Sequence, residues 1–288
     1  DLWMGEFGRD KTEDLCAWFN QQPKLTARIN TILIDIPQCL TLLKEQGWDV
    51  SQDSNYKDII YINSHRGSLE KSDAVIKGYI TFMDKASMLV ARLVNPQPGE
   101  RVLDCCAAPG GKSMYMAALM DNTGSLMSCD IHEHKITLME SNAQRLGISI
   151  VQTKVQDATE LPSAWKSYFD RVLVDVPCSG LGILQKKLDM RWRKDESTLS
   201  ELPPLQLAIL ERAAMTVKEK GYLVYSTCTL NYKENEDVVE AFLQKHKEFS
   251  IVPVGADFPL KSNNGMITTY PPTDDMDGFF MVKMQRIS

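Results

Sequence analysis

The 288-residue chain lacks any apolar run approaching the roughly 18–20 residues that a bilayer-crossing helix needs. Near its first residue there is also no basic segment leading into an apolar stretch and a cleavage site. Neither a membrane span nor a secretory leader is expected, so the expected location is cytoplasmic. Its seven cysteines, at positions 16, 39, 105, 106, 129, 178 and 228, include no Cys-x-x-Cys pair and are odd in number. A disulfide framework and a structural metal are therefore not expected. An excess of positive charge is missing too. The formal net charge is −6 and the pI about 5.4, which excludes a protein that coats nucleic acid indiscriminately. Internal repeats and low-complexity tracts are absent, which removes solenoid and disordered readings.

What remains is ordinary globular usage, 43% hydrophobic and 24% charged, in a chain long enough for one large domain with a small companion. Residues 7–20 carry a helical pattern, residues 27–34 a strand, and residues 37–46 a short helix closed by Gly47. Residues 59–62 and 78–83 are further strand candidates. Residues 1–83 thus form a small α+β unit. From 84 to 288 strand and helix patterns alternate, as in a doubly wound, mostly parallel sheet with helices on both faces. The strands are expected at 101–105, 125–130, 148–153, 171–176 and 222–227. The helices between them are expected at 85–94, 111–120, 132–146, 205–219 and 233–247. Residues 249–254 and 278–284 form an antiparallel pair at one edge.

The segment Arg101-Val-Leu-Asp-Cys-Cys106-Ala107-Ala108-Pro109-Gly110-Gly111-Lys112-Ser113 leaves an apolar strand, turns through small residues and enters a helix. In a doubly wound sheet a ligand lies against the amides at such a helix start. A phosphate-binding P-loop needs glycine five residues before Gly111, where this chain has Cys106. The dinucleotide fingerprint fails as well, because only Gly110 and Gly111 are present. Asp130 ends the next strand, where a carboxylate accepts hydrogen bonds from both ribose hydroxyls. Asp157 and Asp175 follow the next two strands. An adenosine pocket without a diphosphate results, and S-adenosyl-L-methionine fits it better than NAD or ATP.

Two thiols share that rim. One strand ends in Asp175-Val-Pro-Cys178-Ser-Gly180 and the neighbouring one in Ser226-Thr-Cys228-Thr229. The other five cysteines read as inert packing. Carbon 5 of cytosine is a poor nucleophile until a thiolate adds at carbon 6, and a second group must then help to release the thiol. Asp175 stands near enough to hydrogen-bond the cytosine edge. Farther along, the cations of Lys186-Lys187-Leu-Asp-Met-Arg191-Trp-Arg193-Lys194 crowd around a tryptophan, offering contacts to RNA phosphates through Lys186, Lys187, Arg191 and Arg193.

Taken in order, Asp104 through Lys112, Asp175 through Gly180, Ser226-Thr-Cys228, Glu234-Asn235-Glu236 and Asp277-Gly-Phe-Phe280 resemble RNA (cytosine-5) methyltransferases of the Sun/RsmB type. The similarity spans roughly residues 24–286 and includes Arg28-Ile-Asn30. It implies a Rossmann-like class I S-adenosylmethionine-dependent methyltransferase domain behind a small N-terminal α+β, RNA-recognition-like domain. It also implies that Cys228 is the nucleophile and that Cys178 assists release. Cys106, Ala107, Ala108, Pro109, Gly110, Gly111, Lys112, Asp130, Asp157 and Asp175 would contact S-adenosyl-L-methionine. The expected substrate is a cytosine in RNA, 16S ribosomal RNA first and transfer RNA as the alternative. A different reading is a catalytically silent ribosomal-RNA-binding assembly factor. No membrane and no obligate protein partner are expected, nor is the upstream helical RNA-binding domain that such proteins carry.

Overall fold

The computed structural model describes residues 2–187, 191 and 196–288. Two helices lead, α1 (Leu2–Phe7) and α2 (Arg9–Phe19). Then come β1 (Leu25–Ile29), α3 (Ile36–Glu45), β2 (Asp49–Gln52), β3 (Ile59–Ser64), α4 (Asp73–Ile76) and β4 (Ile80–Phe82). The four strands form an antiparallel sheet in the order β2-β3-β1-β4. Ala27, Ile29, Ile60 and Ile62 alternate onto one face and pack with Cys39, Leu43 and Trp48. The Asp35 carboxylate caps α3 by accepting from Gln38 N at 2.9 Å.

The apolar stretch 30–34, expected to continue the first strand, instead turns. Leu33 N and Ile34 N donate to Asn30 O, and Ile32 leaves the small core for the larger one. Asn30 explains the break. Its side-chain amide donates to Gly78 O and Leu146 O, both at 2.9 Å, tying the small sheet to the end of a helix 116 residues away. Arg28 points the same way, and its fully buried guanidinium lies 5.2 Å from the Tyr115 ring centroid. Two short elements, β2 and α4, have too little apolar periodicity to be seen in the sequence.

The second sheet follows α5 (Lys85–Val94). Its elements are β5 (Arg101–Asp104), α6 (Gly111–Leu119), β6 (Ser125–Asp130), α7 (Glu133–Arg145), β7 (Val151–Val155), β8 (Phe169–Asp175), α8 (Glu196–Ala214) and β9 (Val217–Thr227). After these come α9 (Glu236–Lys245), β10 (Phe249–Ile251), β11 (Met266–Thr268), α10 (Pro271–Asp274) and β12 (Phe280–Arg286). The strand order is β10-β12-β9-β8-β5-β6-β7, with β11 paired to β12. The five central strands β9 to β7 run parallel, and β12 runs against both β9 and β10. Both faces are covered, so the inner strands are apolar on both sides. One core takes Val102, Leu126 and Leu173 with α5 to α7, and the other takes Leu103, Val172 and Leu223 with α8 and α9.

The helix expected to run to residue 219 ends at Ala214, because Thr216 donates to Ala213 O through both its N–H and its hydroxyl. Chain order reverses between β5 and β8, since β5 leads to β6 on one side while β8 leads to β9 on the other. Ligands bind in the crevice outside the carboxyl ends of the strands at such a point.

Candidate active site

After β5 the chain makes a tight turn. Ala107 N donates to Cys129 O at 2.7 Å, and Gly110 N to Ala107 O at 2.7 Å. Gly110 has φ +98°, and a Cβ there would stand 3.0 Å from Met139 Cγ, so a side chain is excluded both by conformation and by space. Beneath the turn Asp104 is buried. Its Oδ2 accepts from Ser113 Oγ at 2.7 Å, while Oδ1 has no partner. Burial pushes this carboxyl up to about 7. Asp130, 8% exposed at the end of β6, accepts from His132 N at 3.0 Å. Asp157, half-buried after β7, caps a short turn by accepting from Thr159 N and Oγ1 at 2.8 and 2.7 Å.

Lys112, expected to face the cofactor, reaches across to β8. Its Nζ donates to Asp175 Oδ2 at 2.6 Å and lies 5.3 Å from the Phe279 ring centroid. Burial opposes the charge, but Asp175 outweighs it and holds the ammonium above its usual value. The other Asp175 oxygen accepts from Ser226 Oγ at 2.7 Å. With its lysine engaged by Asp175, the turn offers backbone amides beside the carboxylates Asp130 and Asp157. A nucleoside carrying a sulfonium fits this donor set.

The parallel register places Asp175 beside Ser226, and the thiols follow three residues past the end of β8 and one residue past the end of β9. Cys178 Sγ and Cys228 Sγ stand 3.2 Å apart, and Cys228 N donates to Cys178 Sγ at 3.3 Å. The Cys178 thiol and burial push Cys228 well above the ordinary thiol range, with Lys112 opposing. Buried Cys105, Cys39 and Cys129 are also pushed up by desolvation, the last two to about 11 and about 12. Those three have no thiol neighbour at hydrogen-bond distance and fit packing roles.

Two cations of this segment, Lys186 and Arg191, are engaged by groups of the protein itself. Lys186 Nζ lies between Asp84 and Asp277, at 2.9 Å from the latter. Arg191 binds Leu184 O, Asn20 Oδ1 and Phe19 O, and Gln185 Nε2 donates to Trp18 O and Gln21 O, both at 3.1 Å. The loop is thereby stapled to the end of α2. Lys187 is exposed, and Arg193 lies outside the described residues. Sequence reasoning missed the carboxylates Asp84 and Asp277, which neutralise Lys186. Only the Asp277-Gly-Phe-Phe motif hinted at them. Glu234, noted in the sequence only as part of the Glu234-Asn235-Glu236 motif, bonds to Ser179 N, Gln206 and Asn231 behind the thiols.

A parallel sheet with one reversed strand near its edge, a small-residue turn at the switch point and a ferredoxin-like leading sheet define a class I S-adenosylmethionine-dependent methyltransferase fold. Comparison with known sequences narrows this. The profile described as 16S rRNA methyltransferase RsmB/F matches residues 91–285, and that of the RsmF/B-like ferredoxin-like domain matches residues 1–67. The chain belongs to this RsmB/F family. It is 36% identical over 290 residues to the probable ribosomal RNA small subunit methyltransferase B of Bacillus subtilis, covering 99% of this chain and 64% of that protein. The Synechocystis protein of the same name is also 36% identical, over 292 residues, covering 99% of this chain and 65% of its own length. The crystal structure of PH0851 superposes with a TM-score of 0.93 at 32% identity, over 98% of this chain and 64% of the other. The chain thus spans just under two thirds of these relatives. Among the described residues no helix is long and apolar enough to cross a membrane, and no cluster of metal-ligating side chains occurs.

Proposed function

We propose that this chain transfers a methyl group to carbon 5 of a cytosine in RNA, and that the RNA is small-subunit ribosomal RNA. One observation carries the chemistry. Two thiols 3.2 Å apart stand at the carboxyl ends of adjacent parallel strands, beside a lysine–aspartate pair. The printed names of the relatives support ribosomal RNA as the substrate. Bound S-adenosyl-L-methionine would supply an electrophilic methyl group. It would be held by the 106–111 turn and by Asp130 and Asp157.

The residues then divide the work. Cys228 Sγ gives up its proton and bonds to carbon 6, and the displaced electron pair makes carbon 5 nucleophilic. Cys178, at hydrogen-bond distance, is the neighbouring group that can take that proton. Asp175 is held in place by Lys112 and Ser226, with lone pairs left to accept from the cytosine amino group. After methylation carbon 5 gives its proton to water, the freed electron pair restores the 5,6 double bond as the carbon 6–sulfur bond breaks, and Cys178 returns a proton to the departing Cys228 thiolate. The target base must leave its stack to reach this rim. Lys187 offers outward charge to the RNA backbone, while Lys186 and Arg191 hold the loop that presents it.

The test is to express Cys178→Ala in growing bacteria, purify it under denaturing conditions, and sequence the RNA that stays attached. Attached small-subunit ribosomal RNA that vanishes in Cys178→Ala/Cys228→Ala is expected. Attached transfer RNA would overturn the substrate, and no attached RNA would overturn the assignment of thiol roles.

A further inference from the structure

The thiol-bearing loops leave adjacent parallel strands, and backbone bonds from Val176 N to Ser226 O at 3.1 Å and from Gly182 N to Cys228 O at 3.0 Å flank them without gripping the residues on both sides of each thiol. Two consecutive side chains do that. Glu234 is 0% exposed and ends a short helical turn, residues 232–234. Its Oε2 accepts from Ser179 N at 2.8 Å, the amide directly after Cys178, and from Gln206 Nε2 at 2.9 Å. Gln206 Nε2 also donates to Pro177 O at 3.0 Å, directly before Cys178. Glu234 Oε1 accepts from Asn231 Nδ2 at 2.9 Å. Asn235, the next residue, grips the other loop. Its Oδ1 accepts from Thr227 Oγ1 at 2.6 Å and its Nδ2 donates to Thr229 O at 3.0 Å, on the two sides of Cys228. Ser179 Oγ and Thr229 Oγ1 join the loops at 2.7 Å, and Tyr225 OH donates to Glu234 O at 2.6 Å, pinning the piece to β9.

Every donor to Glu234 is neutral. A buried carboxylate served only by neutral donors costs more desolvation than an amide would. Yet it alone offers acceptors on both oxygens and no donor of its own. An amide in its place would turn an N–H group toward Asn231 or toward Ser179 N and Gln206. We propose that Glu234 and Asn235 form one positioning element that sets the distance between the two thiols, so that Cys178 meets the departing Cys228 sulfur. The consequence for release rests on the RNA methyltransferase reading above. The clamp itself does not.

The experiment compares wild type, Glu234→Gln, Asn235→Ala and Asp58→Asn in full-length protein. Asp58 is a buried carboxylate in a separate network with Arg92 and Tyr115, and controls for general loosening. Diamide oxidises two adjacent thiols to a disulfide and is itself reduced to the hydrazine, taking up both protons. The Cys178–Cys228 disulfide is then counted by peptide mass. We expect wild type and Asp58→Asn to crosslink at similar rates, and Glu234→Gln and Asn235→Ala at least about tenfold more slowly. Unchanged crosslinking in both clamp variants, or an equal loss in Asp58→Asn, overturns the clamp. In bacteria, Glu234→Gln with both thiols intact is expected to accumulate attached RNA as Cys178→Ala does. Slow crosslinking without attached RNA, where Cys178→Ala does trap RNA, overturns the role in release. If Cys178→Ala traps none, the assignment of thiol roles falls and the crosslinking result still decides the clamp.

Discussion

On the β5–β7 side of the sheet's carboxyl edge, the acids that follow β6 and β7 are satisfied close to home, Asp130 by His132 N and Asp157 by Thr159. On the β8–β9 side almost nothing is local. Asp175 binds a lysine 63 residues away, Ser179 binds Glu234 55 residues on, and Gly278 N reaches Gly182 O at 2.8 Å. The first arrangement suits binding, where a flat set of independent contacts suffices. The second suits bond making, where reacting groups must be held within fractions of an ångström. Substitutions should therefore act separately on one side and as a unit on the other.

The largest effect is expected at Gly182, where the 180–183 turn is threaded between the Cys228 and Gly278 backbones. A Cβ there would lie 1.8 Å from Gly278 O and 2.9 Å from Cys228 O. These are backbone atoms that cannot step aside, so Gly182→Ala should cost about 3 kcal/mol or more in denaturant unfolding. A loss below about 1 kcal/mol would mean that the three loops are not locked together.

Next in size is a pH effect beneath the nucleotide turn. The folded Asp104 carboxyl sits at about 7 because burial disfavours its charge. With a folded pKa above the unfolded one, its contribution to stability is full below about pH 4 and lost as pH rises through about 7. Asp104→Asn removes that dependence. Its stability relative to wild type should rise by about 2 kcal/mol between pH 5 and pH 8, read by urea midpoints at each pH. A flat difference would show that Asp104 keeps its charge throughout.

The smallest effects bear most directly on the contrast between the two sides. Asp130→Asn and Asp157→Asn should each weaken S-adenosyl-L-methionine binding by about 1 kcal/mol in calorimetry, and the double variant by the sum within about 0.5 kcal/mol. Strong coupling between them would erase the distinction drawn here.

Much of this edge was legible in advance because it depends on short-range rules. A strand, a small-residue turn and a helix place Gly110 and Gly111, and strand ends place Asp130, Asp157, Asp175, Cys178 and Cys228. Asn30 misled, because its flanking Ile32 and Ile34 carry strand propensity while its side chain spends its hydrogen bonds on Gly78 and Leu146. The segment around Lys186 and Arg191 misled in the opposite direction. A run of cations is ordinarily a solvated face, and here Asp84, Asp277 and the end of α2 engage two of them.

The sequence by itself determined most of the elements, the order in which acids and thiols meet the strand ends, and, through the likeness of its motifs, the family to which the chain belongs. The elements and their order follow from local propensity and periodicity, which act over a few residues. Only the tertiary structure decided that Lys112 serves Asp175, that Lys186 is neutralised, and that Glu234 and Asn235 grip the two thiol loops. Each of those is a contact between residues distant in the chain or on separate loops. Its geometry exists only after the parallel strands have set their register, and no spacing in the sequence encodes it.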